Sequence, residues 1–270
     1  MKIVLSRKGF DSQYGGMPSP ILPNGKLLSL PIPSDEGTTT YEDIVYDGKT
    51  YMEIISELKP QRAEKMKGSC CHVDPDMENR YGDSLKDWKP AFGQAGGAET
   101  QLKDICAGDI FLFYGWFRQT EYDENGKLKF VKGSKEDKHI IWGYMEVAKR
   151  ITDEQQIKDE YNHHPHSLDK YTSQKNALYI PADKLSLDNT KKGYGIFDYK
   201  PIRQLTKENH NRSEWELPDY FRDVKISHHN NKSYGFIDGK DYFKSACIGQ
   251  EFILEATDEI VEWVKEVIKS

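Results

Sequence analysis

Apolar positions along the chain group in two ways. Some form unbroken runs: positions 109–117 read Asp-Ile-Phe-Leu-Phe-Tyr-Gly-Trp-Phe, and 139–147 read His-Ile-Ile-Trp-Gly-Tyr-Met-Glu-Val. Runs this rich in aromatic and β-branched residues fit buried strands, because a surface helix would leave half of them in water. Shorter runs predict strands at 3–5, 176–180 and 250–254. Elsewhere apolar residues recur every three or four positions. Tyr51, Ile54, Ile55 and Leu58 mark a helix that Thr50 and Glu53 open as a capping box and Pro60 stops. Ile260, Val261, Trp263, Val264, Val267 and Ile268 form one stripe of a helix over 258–269, and a further helix is expected over 152–161. Asn24-Gly25 and Asn125-Gly126 predict hairpin tips; a type I′ turn at the first needs positive φ at both residues. No repeat, low-complexity tract or linker divides the chain. The pattern predicts one α+β domain over 1–270, with a mainly antiparallel, barrel-like sheet and peripheral helices.

Composition removes several classes. Lys plus Arg is 38 and Asp plus Glu is 44, for a net charge of −6, so a generally basic nucleic-acid coat is excluded. Any nucleic-acid contact needs a local basic patch. No apolar run approaches the roughly 20 residues of a spanning helix, so no membrane partner is expected. The start, MKIVLSRKGF, carries too short an apolar run for a signal-peptide core, and a cytoplasmic location is expected. Cys70, Cys71, Cys106 and Cys247 form no C-x-x-C pair and read as reduced thiols.

Four constellations carry candidate chemistry. The first is Ser6-Arg7-Lys8-Gly-Phe-Asp11-Ser12 with Gly15-Gly16, directly after a buried strand. Arg7 and Lys8 suit phosphate, and Asp11 either pairs with them or acts on a substrate. The second is His72, Asp74 and Asp76, which alternate and so can face one cleft. Paired carboxylates with a histidine suit general acid/base work, ahead of a divalent metal. The third is Asn162-His163-His164-Pro-His166, and a weaker pair is His228-His229. The fourth is Arg212-Ser213-Glu-Trp215, where Arg and Ser fit a phosphate and Trp215 either stacks on a base or fills the core. Gln94 and Gln250 each follow a glycine and can read a base edge. The N-terminal loop and the 72–76 segment are expected to converge on one cleft.

Two resemblances sharpen this. The 109–117 and 139–147 strands, with their Gly-Asp start and Ile-x-Gly-x-x-x-Val form, resemble the core of PUA-like domains, including the EVE and ASCH families. Those folds bind nucleic acid and often hold a modified base in a pocket. Across nearly the whole chain, the blocks at 5–12, 15–16, 18–21, 72–76, 88–94, 108–118, 164–166, 195–197, 205–206, 212–218 and 249–252 resemble the third family of nucleotide-modification-associated domains of bacteria and phages. The resemblance implies a place in base-modification systems and, as partner, DNA carrying modified bases or a modified nucleotide.

The expected activity is therefore hydrolysis of the N-glycosidic bond of a modified, flipped base, with phage defence as its setting. Asp11, His72, Asp74 and Asp76 are the candidate catalytic residues. Ser6, Arg7, Lys8, Ser12, Gln94, His164, His166, Arg212, Ser213, Trp215 and Gln250 are the candidate substrate contacts. No metal or other cofactor is expected, and neither a P-loop nor a dinucleotide fingerprint is present. The alternatives are a non-catalytic reader of modified bases, or a hydrolase or transferase acting on modified nucleotides.

Overall fold

The two longest apolar runs pair with each other and organise everything else. In the computed structural model, which describes residues 1–172, 174–227, 234–245 and 251–270, the strand Ile110–Tyr122 lies antiparallel to Lys138–Ile151. Both extend past the predicted ends, because the alternating tails at 118–122 and 148–151 still find partners. Asn125-Gly126 lies in the connection, where Tyr122 pairs with Leu128, as expected. On one side, Ile110–Tyr122 pairs in parallel with Lys2–Arg7, which pairs antiparallel with Glu251–Glu255. On the other, the end of Lys138–Ile151 pairs with Asn176–Pro181, and that strand with Phe92–Ala95 at the sheet edge.

The pairing of Lys138–Ile151 slips twice, between Ile141 and Gly143 and between Val147 and Lys149. Slips of this kind bend and twist a strand. They let one strand serve Ile110–Tyr122 along its first part and Asn176–Pro181 along its last. Ser19–Ile21 adds a second parallel pairing to Ile110–Tyr122, so the sheet is mixed rather than simply antiparallel. A sequence pattern reports that a strand is buried, not the direction of its partner.

Five α-helices flank the sheets among the described residues. In Tyr51–Leu58 the Thr50 side chain accepts from the Glu53 N–H while Glu53 reaches back, as the capping box predicts. The basic stretch after it is a second helix, Pro60–Met66, in which Pro60 takes the first position, where its missing N–H costs nothing. The helix Asp258–Lys269 buries Ile260, Trp263, Val264, Val267 and Ile268. At Asn24-Gly25 the chain does turn, with Leu22 N–H bonded to Lys26, but only Gly25 has positive φ, so the turn is not type I′.

Two apolar clusters result. One joins the main sheet to the last helix through Phe92, Phe111, Phe113, Trp142 and Trp215. The other joins the first two helices to the N-terminal loops through Phe10, Tyr41, Tyr51, Ile54 and Val73. Each fully buried side chain of this size contributes about 1.5–3 kcal/mol. No helix among the described residues is long and apolar enough to cross a membrane.

Candidate functional site

The strand Phe92–Ala95 has a partner on one side only, and its free side meets residues 74–76. Asp76 and Ala91 exchange backbone hydrogen bonds, and two residues on, the Gly93 N–H donates to Asp74 Oδ1 at 2.7 Å. Asp74 is therefore held by the strand edge itself. Three histidines surround it. His164 Nε2 lies 3.3 Å from Oδ1, while His72 Nε2 and His166 Nε2 lie 3.9 and 4.0 Å from Oδ2. His164 and His166 point inward because Pro165 begins a single tight turn, in which His164 Nδ1 accepts from the His166 N–H. His163 falls outside it, beside the Lys89 carbonyl. The second and third constellations are thus one cluster, although some 90 residues separate them in the chain.

The His166 ring is fixed on three sides. Its Nδ1 meets Asn176 Oδ1 at 2.7 Å, and the Asn176 amide nitrogen donates to the His166 carbonyl, which sets the amide's orientation. Nδ1 is therefore the protonated nitrogen, and the Nε2 lone pair faces Asp74. Tyr171 stacks on the ring at 4.4 Å and 8°. On the remaining side lies Gly93, where an added Cβ would fall 2.2 Å from His166 Cδ2. Burial lowers both ligand-like imidazoles against the pull of Asp74, His72 to about 4 and His166 to about 3. Burial also opposes charge on Asp74, but His164, His166 and His72 together hold its carboxyl well below the ordinary range. The ionised carboxylate of Asp74 thus faces the neutral imidazoles of His72 and His166. Asp76 differs: it is fully buried, accepts from Trp88 Nε1 at 2.8 Å, and is raised by burial to about 7. It supports the segment rather than facing the cluster.

The other face of Phe92–Ala95 carries a second polar group. Lys8 Nζ and Gln94 Nε2 both donate to Glu251 Oε1, at 3.0 and 2.8 Å, with the Lys8 ammonium above the Phe92 ring. The Lys8 charge also bears on His72. A cavity of about 880 Å³ is lined by Glu251 and residues 253–257, with Lys2, Gln101 and Ile226 on its walls. Of the residues expected to contact substrate, Lys8 and Gln94 thus come together on Glu251, across the strand from the histidine cluster.

The rest of the N-terminal motif goes elsewhere. Arg7 and Asp11 pair at 3.4 Å, both buried, and Asp11 Oδ1 accepts the Gln13 and Tyr14 N–H groups. Ser6 is buried in its strand. Ser12 accepts from Arg212 Nη2 at 2.9 Å, and that guanidinium covers the Trp116 ring at 4.0 Å. Trp215 is wholly buried, donates to His139 Nδ1 at 3.0 Å and packs on Tyr114 and Phe243, so it belongs to the core. Ser213 is buried, and its carbonyl accepts from Ser245. Gln250, the His228-His229 pair and Cys247 lie outside the described residues. Cys70, Cys71 and Cys106 are free thiols, and burial raises the thiol pKa of Cys71.

Sequence reasoning missed Glu251, Asn176, Tyr171 and Gly93. For Gly93 a signal existed, since a glycine inside an apolar strand marks a close approach by something else. Among known proteins, the family model described as nucleotide modification associated domain 3 matches residues 2–255. No curated protein and no solved structure matches the chain. The match takes in the N-terminal loop, the histidine–carboxylate cluster, Gln94 and Glu251, and the chain belongs to the nucleotide modification associated domain 3 family.

Proposed function

We propose that the protein recognises a modified nucleobase in DNA and hydrolyses its N-glycosidic bond, with Asp74 and its histidines as the reactive group. The observation that carries this reading is the convergence on one strand edge of Asp74, His72, His164 and His166, with Lys8, Gln94 and Glu251 on its other face. A carboxylate kept ionised stabilises the positive charge that builds on the sugar as the bond breaks. Gln94 and Glu251 offer a donor and an acceptor to a base edge, and Lys8 offers charge to a phosphate. The curled sheet, read as a PUA-like barrel, is the platform for a flipped base. Cytoplasmic action on modified phage DNA is the setting this reading assumes.

The test is incubation with plain and modified DNA, followed by mass spectrometry for released base. Base released by the parent and not by Asp74→Asn is the expected result. No release from any modified DNA would remove the hydrolytic reading.

One observation favours a smaller substrate. The Asp74 side chain is 5% exposed and that of His72 13%, an entrance narrower than a duplex strand needs unless the nucleotide is fully extruded. With a net charge of −6, a free modified nucleotide fits as well. Salt separates the two: duplex binding weakens steeply with salt through counterion release, whereas binding of one nucleotide does not.

A further inference from the structure

We propose that His72 Nε2, His166 Nε2 and Asp74 Oδ2 bind one first-row divalent transition-metal ion, of the zinc or ferrous class. One donor atom from each of these three residues lies within 4.8 Å of the other two. Oδ2 stands 3.9 and 4.0 Å from the two ring nitrogens, too far for a hydrogen bond. Two donors on an ion with bonds of about 2.0–2.2 Å lie about 3–3.5 Å apart, so closure by roughly half an ångström completes the set.

The surroundings are those of a ligand set rather than a hydrogen-bonded network. Asn176 Oδ1 accepts from the His166 Nδ1–H, which leaves the Nε2 lone pair toward the carboxylate. A lone pair facing a carboxylate oxygen is an acceptor against an acceptor, which a cation between them makes favourable. The Gly93 N–H and His164 occupy Oδ1, leaving Oδ2 to the ion. His164 spends Nδ1 on the His166 N–H and serves as a positioning residue. Gly93 and Tyr171 clamp the His166 ring from either side. Two imidazoles and one carboxylate leave positions open for water or an anion, the arrangement of a reactive centre rather than a closed structural one. The nearby Lys8 charge favours an anionic guest there.

Metal binding uses the same residues as the proposed reaction, so it is tested without substrate, where its failure and the failure of that reading are distinguishable. The full chain is stripped with chelator, reloaded with Co(II) or Zn(II), and desalted. About one ion per chain is expected. The Co(II) form should show d–d absorption without a thiolate charge-transfer band, although Cys71 adjoins His72. Asp74→Asn and His166→Ala, each checked for native circular dichroism, should lose the ion. Asn176→Ala should weaken affinity about 10–100-fold, as loss of a group orienting a ligand does. His210→Ala, distant from the cluster and paired with Glu214, should bind as the parent does. Should either ligand variant fail to fold, the Co(II) spectrum of the parent decides. Less than a tenth of an ion per chain in the parent, a thiolate band, or full retention in folded His166→Ala would overturn the site.

Discussion

Asp11 and Asp74 are both buried carboxylates set in polar loops, and they are held in opposite ways. Asp11 is bonded from within four residues, by the Gln13 and Tyr14 N–H groups and the Arg7 guanidinium. Asp74 is bonded by the Gly93 N–H, 19 residues away, and approached by His164 from a remote turn. A carboxylate served by its own loop stabilises that loop and needs no other partner. A carboxylate served from afar, with one oxygen left facing two ring nitrogens at 3.9 and 4.0 Å, is held in place for something that is not its neighbour. In sequence, Arg7-Lys8-x-x-Asp11 looks the more reactive of the two, because charge density is visible there. The charge mostly cancels on folding.

Substitutions can break this contrast, and the largest effect belongs to the loop. Asp11→Ala leaves the Arg7 guanidinium without its buried carboxylate and should cost about 3–5 kcal/mol of unfolding free energy, read by denaturant titration. Base release per folded molecule should stay near the parental rate. Asp74→Asn should do the reverse. It keeps an acceptor for the Gly93 N–H, so stability should shift by about 1 kcal/mol or less. Its rate of base release should fall by about 10²–10³, the scale on which single electrostatic groups contribute. Parental release from Asp74→Asn together with lost release from Asp11→Asn would exchange the two roles.

Gly93→Ala sharpens the contrast from the other side. Its methyl meets the His166 ring, and overpacking of this kind costs about 1–3 kcal/mol while displacing the imidazole. Loss of bound Co(II) and a lowered melting temperature should appear together. Gly97→Ala, in the helix Gly96–Leu102 with open space around it, is the matched control and should gain up to about 1 kcal/mol. The smallest effect is expected at Lys8. Lys8→Ala should lower the salt slope of DNA binding by about one without changing the pH dependence of base release. An unchanged slope would leave Lys8 as the partner of Glu251 and nothing more.

Much of the scaffold was legible in the chain. The strands at 109–117 and 139–147 declared themselves by aromatic content, the helix after Thr50 by its capping box, and the last helix by its stripe. Local chemistry decides those features, and local chemistry is what a sequence displays. The parallel pairing of Lys2–Arg7 with Ile110–Tyr122 was not legible, because apolar runs carry no direction. Within the site, His72 and Asp74 stood out by alternation, and His164 and His166 by density. Their union did not, since it depends on Phe92–Ala95 standing at the sheet edge. Trp215 shows the converse: an aromatic beside Arg and Ser looks ready to stack on a base, yet it spends its indole N–H on His139 inside the core.

The close approach of His166 to Gly93 has a consequence for folding fidelity. His166 is gripped by Asn176 on one strand while its ring lies on Gly93 of the next, where Leu178 pairs with Gly93 and Asn176 with Ala95. A slip of one residue between these strands would bring Phe92 or Gln94 under the ring and carry the Gly93 N–H away from Asp74. The same slip would turn the fully buried Phe92 away from Phe111, Phe113 and Tyr179, so the error would cost core packing as well. The cluster would not form at all. Assembly of the histidine–carboxylate cluster is therefore a checksum on strand alignment, set by the same register that buries Phe92.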